Sequence, residues 1–174
     1  MKPIDTLKTI LLNLLKQHSN YVAVCTEPAS ITLASARAAE SLDETPLSME
    51  VWLSPHVLRN ALTAGLPAGD RKGPEIACAL GAVMMDSDAG LKMLLNCTDE
   101  DLKQAYEMVD QNLITVRAKD ESGSVFVRVV AKGEVNSTEV IISGSHSSIK
   151  EIKKIKPLYT PITPITTTHI PPHH

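Results

Sequence analysis

Apolar residues recur at helical spacing in five segments of the chain. The predicted helices are residues 5–15, 28–42, 57–62, 76–85 and 98–109. The second is rich in alanine, whose small side chain favours a helix and lets another backbone approach closely. The fourth is almost without polar atoms, which indicates burial on several sides. In the fifth, Thr98 and Asp101 form the pattern of a capping box.

A period of two replaces the helical period in the remaining patterned segments. Residues 48–53 alternate apolar and polar positions, and β-branched runs occupy residues 113–116, 124–131 and 139–143. Residues 65–74 are rich in glycine and proline and predict a loop. Helices followed by strands favour an α+β fold, with alanine-rich helices packed on an antiparallel sheet formed mainly by the carboxy-terminal half.

The domain organisation follows from where these patterns stop. We assign residues 1–156 to one domain, because a chain of 174 residues can bury one substantial core. Residues 157–174 contain repeated prolines and have no helical or strand period, so we predict a tail that is disordered or not native to the protein.

Composition and charge restrict the partners and the compartment. The apolar share of 43% and the charged share of 21% are ordinary for a soluble globular protein. A net charge of −3 without a basic block argues against nucleic acid, and no apolar stretch indicates a membrane span or an export signal. Cysteines at three distant positions favour reduced thiols and a cytoplasmic location.

The cysteines differ in the chemistry that their positions allow. Cys25 immediately precedes the alanine-rich helix, where Thr26 is placed to cap and where free amides and the helix dipole are expected to lower the pKa of the thiol. A packing role is the alternative, since most free cysteines are buried. Cys78 lies among apolar residues and reads as a small hydrophobe, whereas Cys97 precedes another helix and stays ambiguous.

Two histidines and one loop are further candidates for a functional site. His56 and His146 stand beside serines near predicted element ends, where a histidine can contact a carboxylate or move a proton, or be exposed without a role. A zinc site of Cys25 with His18, His56 or His146 is a weaker alternative, because no spacing specifies it. The loop of residues 65–74 lacks the lysine and hydroxyl ending of a phosphate-binding P-loop.

Several strings in one order carry a family resemblance. Residues 24–29 read Val-Cys-Thr-Glu-Pro-Ala, and further matches lie at residues 53–60, 65–69, 76–90 and 140–146. The first string resembles the Gly-Cys-Thr-Glu-Pro signature of the L-cysteine desulfidase family, which is related to the iron–sulfur L-serine dehydratases. The resemblance covers the amino-terminal portion of that family and extends almost to Lys156.

The resemblance implies a lyase that degrades L-cysteine to pyruvate, ammonia and sulfide with a four-iron four-sulfur cluster as Lewis acid. It implies Cys25 as a cluster ligand and Arg59, Asn60 and His146 as catalytic residues. The residues implied for binding a small amino-acid substrate are Thr26, Glu27, Ser54, His56 and Ser143.

Departures from the family pattern weaken the expected activity. Val24 replaces a glycine, His56 an asparagine and Arg59 a lysine, and the other cluster ligands would lie in a carboxy-terminal portion that this chain lacks. We therefore expect a truncated, inactive lyase whose cluster is absent or incomplete. It would associate with itself or with a carboxy-terminal partner fragment. The alternatives are a non-catalytic amino-acid-binding or scaffold domain, and an L-serine dehydratase-like activity.

Overall fold

The computed structural model describes residues 25–120 and 125–156. The predicted helix of residues 5–15 and the predicted tail of residues 157–174 lie outside these ranges. None of the helices in the described ranges combines the length and the apolar character that a membrane crossing requires.

Helices form where the apolar periodicity predicts them. The described α-helices are α1 (Thr26–Glu40), α2 (Pro55–Thr63), α3 (Pro74–Met84) and α4 (Asp99–Asp110). The expected capping box is confirmed: the Thr98 hydroxyl accepts from the Asp101 amide, and the Asp101 carboxylate accepts from the Thr98 amide. A 3₁₀ segment, Ser87–Asn96, was not predicted, and the non-helical backbone of Gly90 divides it.

Five strands form a single sheet in the described part of the chain. They are β1 (Ser48–Leu53), β2 (Ile114–Ala118), β3 (Phe126–Lys132), β4 (Ser137–Ser143) and β5 (Ile149–Ile155). Their order across the sheet is β2-β1-β3-β4-β5. β1 lies between α1 and α2, and the other four strands follow the last helix, so the predicted α+β class is confirmed.

The sheet is mixed, although an antiparallel sheet was expected. β3 pairs antiparallel with β1 and β4, and β4 pairs antiparallel with β5. β2 pairs parallel with β1 instead of joining β3. A parallel pair needs a long crossover, which α2, α3 and α4 provide between these strands.

The core is aliphatic and lies between α1 and one face of the sheet. Ile31, Met49, Val51, Val129 and Val140 are fully buried in this layer. On its other side α1 packs on α3 so closely that a Cβ added at position 81 would overlap the Thr32 carbonyl oxygen. Glycine there lets the two backbones approach, which confirms the close helix packing that the alanine-rich pattern predicts.

One edge of the fold gathers the ends of several elements. The Ser54 amide, just after β1, donates to the Phe126 carbonyl at the start of β3, and Phe126 pairs with Ser143 at the end of β4. α2 begins directly after Ser54, and its Asn60 reaches Glu27 in the first turn of α1. Two helix amino termini and the β4–β5 turn therefore meet at this edge.

Candidate functional site

Glu27 is the centre of a polar cluster at this edge. Its Oε2 accepts from Cys25 Sγ and from Thr26 Oγ1, each at 3.2 Å, and its Oε1 accepts from Asn60 Nδ2 at 3.1 Å. Its side chain is only 11% exposed. A carboxylate in the first turn of a helix also interacts favourably with the helix dipole.

The carboxyl group of Glu27 is ionised across the physiological range. Burial alone would raise its pKa, but hydrogen bonds from Cys25, Asn60, its own amide and Thr26 outweigh burial and lower the pKa to about 2. Hydrogen bonds to the charged form stabilise that form. The site therefore presents a fixed negative charge that is partly shielded from solvent.

The Cys25 thiol is the proton-bearing partner of this carboxylate. Desolvation and the hydrogen bond to Glu27 raise the pKa of Cys25 above its ordinary value, although the Thr26 and Glu27 amides act in the opposite direction. The prediction of a lowered pKa was wrong, because burial of the thiol and the carboxylate two residues later outweigh the helix amides. Cys25 itself is the N-cap residue, so Thr26 does not cap the helix.

Histidines from two other elements approach the same carboxylate. His146 Nε2, in the β4–β5 turn, lies 3.5 Å from Glu27 Oε1, and His56 Nε2, on α2, lies 3.8 Å from it. Asn60 also lies 3.3 Å from His56 Nε2 through its Nδ2 atom. The structure thus brings together five predicted site residues around Glu27, from the start of α1, from α2 and from the turn after β4: Cys25, Thr26, His56, Asn60 and His146.

Two buried polar atoms near the cluster lack hydrogen-bond partners among the described residues. They are Ser54 Oγ and His146 Nε2, which lies close to Glu27 without forming a hydrogen bond of acceptable geometry. Ser54 is 1% exposed and is the N-cap residue of α2, yet its side chain caps no amide. Unpartnered buried polar atoms are destabilising unless a ligand or water satisfies them.

Two further predicted site residues, Arg59 and Ser143, make no contact with the Glu27 carboxylate among its hydrogen bonds and ion pairs. Arg59 is exposed on α2, and its guanidinium forms none of the ion pairs found within the described ranges. Ser143 ends β4, and its amide donates to the Ser148 carbonyl, which closes the turn that carries His146. The roles predicted for Arg59 and Ser143 stay predictions.

Residue patterns pointed to Cys25 as the centre of the site, whereas the contacts centre on Glu27. Glu27 was predicted only as a substrate-binding residue through the family resemblance, and its local signal was an acidic residue in the first turn of an alanine-rich helix. Such a residue reads locally as a dipole partner, so only the approach of α2 and of the β4–β5 turn reveals its second role.

The thiols present do not fit a four-iron four-sulfur cluster. Cys78 is fully buried in α3, as predicted, and burial raises its pKa to about 12. Burial and neighbouring acidic residues raise the pKa of Cys97 to about 11. Cluster ligation needs several thiolates together. Within residues 25–120 and 125–156, no group of three or more histidine, cysteine or acidic side chains could hold a metal ion.

A second concave region lies at the opposite end of α1. This groove of about 650 Å³ is lined by residues that include Glu40, Asp43, Glu44 and Glu107. Three of these carboxylates are already bound within the fold: Glu40 by Ser87, Asp43 by Lys154, and Glu44 by amides of the β3–β4 turn. These three carboxylates are already occupied by partners within the fold, and no unpartnered buried polar atom of the described residues lines this groove, so the Glu27 cluster is the stronger candidate site.

The fold and the cluster together define an α+β domain with an ionised, buried carboxylate at the meeting point of two helix amino termini. The chain is similar to UPF0597 proteins. It is 34% identical to that of Parabacteroides distasonis over 147 residues, 84% of this chain and 34% of the relative. It is 37% identical to that of Finegoldia magna over 141 residues, 80% of this chain and 34% of the relative.

The matched relatives are considerably longer than this chain. The chain spans about a third of their length, as the 34% coverage of the first relative illustrates. No protein-family model matches the chain. No solved structure matches it either.

These comparisons correct the resemblance to the L-cysteine desulfidase family. The relatives that match most of the chain carry the name UPF0597, which states no activity. The string at residues 25–28 also has a local explanation, because an acidic residue and a proline both suit the first turn of a helix. Short strings that satisfy a helix start recur for physical reasons and are weak grounds for a family assignment.

Proposed function

We propose that the Glu27 cluster binds a small amino acid and takes part in β-elimination of L-cysteine to pyruvate, ammonia and sulfide. The observation that carries this proposal is a buried carboxylate with a pKa of about 2, together with two unpartnered buried polar atoms, Ser54 Oγ at the start of α2 and His146 Nε2 in the β4–β5 turn. Such a site offers opposite charges to the two ends of an amino-acid zwitterion.

Each end of the ligand has a suitable partner in this chain. The Glu27 carboxylate attracts the α-ammonium group, because it stays ionised at neutral pH. The α-carboxylate is placed at the start of α2, where the unpartnered Ser54 Oγ donates a hydrogen bond and the helix dipole is favourable. Buried polar atoms that are unsatisfied in the free protein would thus gain partners on binding.

The elimination step then needs a base near the α-carbon. His146 Nε2 removes the α-proton, and the Glu27 carboxylate beside it stabilises the resulting imidazolium. The electron pair of the Cα–H bond forms the Cα–Cβ double bond while the Cβ–S bond breaks. The leaving sulfide takes a proton from water, and the hydroxide that this produces takes the α-proton back from the His146 imidazolium. The aminoacrylate tautomerises to an imine, which a second water hydrolyses to pyruvate and ammonia.

Binding without chemistry is the second candidate, and two observations favour it. The Cys25 pKa is raised, so the thiol is neutral near pH 7. Arg59, a predicted catalytic residue, is exposed and makes none of the contacts to Glu27. L-serine is an alternative substrate, because loss of water needs the same groups as loss of sulfide. We place the protein in the cytoplasm, where its thiols stay reduced.

The test measures binding and turnover separately on this chain. Calorimetry with L-alanine, which has no leaving group, reports binding, and pyruvate and sulfide assays with L-cysteine or L-serine report elimination. Glu27→Gln should abolish L-alanine binding, whereas His146→Ala should remove turnover and retain binding. Glu107→Gln, on the exposed side of α4, is the matched control. Binding by the Glu27→Gln variant with wild-type affinity would overturn the proposal, and binding without any pyruvate would leave the second candidate.

A further inference from the structure

Helix α2 is attached to the rest of the fold by few buried groups. Only Val57 and Ala61 are buried among its residues, and Leu62 is 55% exposed. Its polar links to α1 are the hydrogen bond from Asn60 to Glu27 and the approach of His56 to the same carboxylate. Elements with few buried apolar side chains open at lower free energy than the core around them.

The connection that follows α2 is tied to α4 by a strap, which we define as residues 69–71. The Tyr106 hydroxyl donates to Asp70 Oδ1 at 2.9 Å and accepts from the Asp70 amide at 3.1 Å. The Arg71 guanidinium lies 4.4 Å from the centroid of the Tyr106 ring. It also binds Asp110 through both nitrogens, at 2.6 and 3.2 Å.

These contacts attach the loop that follows α2 to α4, through Tyr106 and Asp110, which are distant in sequence from the residues of the Glu27 cluster. At its other end α2 follows β1 after a single residue, Ser54, whose amide is bound to the Phe126 carbonyl. The helix is thus held firmly at its start by the sheet and at its far side by the strap. Between these points its own packing contributes little.

We propose that α2 is a lid over the Glu27 cluster and that the strap limits how far this lid opens. Opening breaks the bond from Asn60 to Glu27 and withdraws His56, so that Glu27 and Cys25 face solvent. Closing returns these groups to the distances seen here. The lid controls access to the site whether or not the site is catalytic, and its test needs no substrate.

Hydrogen exchange measured by mass spectrometry on the full chain tests this coupling. Tyr106→Phe removes the hydroxyl of the strap and keeps the ring, and Asp110→Asn weakens the exposed ion pair as a milder second variant. We expect amides of α2 to exchange about fivefold to tenfold faster in Tyr106→Phe, in line with the loss of a hydrogen bond. Alkylation of Cys25 by a neutral maleimide should accelerate in parallel. Glu107→Gln, one position further along α4, is the control.

The outcomes separate a lid from an ordinary loop contact. Faster exchange confined to residues 65–73, with α2 and Cys25 unchanged, would show that the strap holds only its own loop and would overturn the proposal. Equal acceleration in α1, α3 and the sheet would show global destabilisation and would overturn it as well. Selective acceleration in α2, together with faster Cys25 labelling, would support it.

Discussion

Replacement of Glu27 by glutamine should alter the pH dependence of folding in a defined direction. The Glu27 pKa falls from its ordinary value of 4.5 to about 2 in the folded chain. At about 1.4 kcal/mol for each pH unit, this difference corresponds to about 3 kcal/mol. We expect about 2 kcal/mol in practice, because the glutamine amide oxygen still accepts one of the hydrogen bonds.

The sign follows from the lowered folded-state pKa. Stability from ionised Glu27 is fully present above pH 4.5 and is lost as the pH falls through about 2. The free energy of unfolding of the wild type should therefore exceed that of Glu27→Gln by about 2 kcal/mol at pH 6. The difference should shrink steadily between pH 4.5 and pH 2.

Urea unfolding of both proteins, followed by circular dichroism at several pH values from 6 to 2.5, measures this difference. Glu107→Gln, an exposed substitution on α4, is the control and should keep a constant difference from the wild type. A Glu27→Gln difference that does not vary with pH would refute the assignment of a buried, hydrogen-bonded carboxylate to this position.

Four further predictions use other parts of the fold. Gly81→Ala should destabilise the chain by about 2 kcal/mol in urea unfolding, because the new methyl group meets the α1 backbone, whereas Gly65→Ala meets no atom and should be neutral. The pKa of Cys25, measured by the pH dependence of iodoacetamide alkylation, should fall in Glu27→Gln, since a negative neighbour is removed while the helix amides remain. Glu44→Ala should lower the melting temperature, because three amides of the β3–β4 turn lose their acceptor. Anaerobic incubation with ferrous iron and sulfide should leave no protein-bound cluster. Stoichiometric cluster absorbance would contradict the conclusion that the three thiols do not fit a four-iron four-sulfur cluster.

Local pattern was sufficient for most helices and strands of the described chain. Residues 48–53 were predicted as a strand and form β1 with the same bounds, because alternation of apolar and polar positions is itself the condition for a half-buried strand. The capping box at Thr98 was predictable for the same reason, since both of its hydrogen bonds lie within one turn.

Local pattern failed to predict two elements, the highly charged strand β5 and the short 3₁₀ segment, because neither has a clear apolar periodicity. β5 carries four charged residues among its seven and was not predicted, although lysines suit the edge strand that it forms. The 3₁₀ segment around Gly90 has no sustained period that a sequence pattern could reveal.

The sequence by itself determined the α+β class, the positions of four helices and four strands, and the polar residues available for chemistry, because each depends on neighbours within a few positions. Only the tertiary structure decided that β2 pairs parallel with β1, since partner choice depends on the crossover through three helices. It also decided that Glu27 is the centre of the candidate site. That position depends on Asn60 and His146, which reach the Glu27 carboxylate from elements distant in sequence.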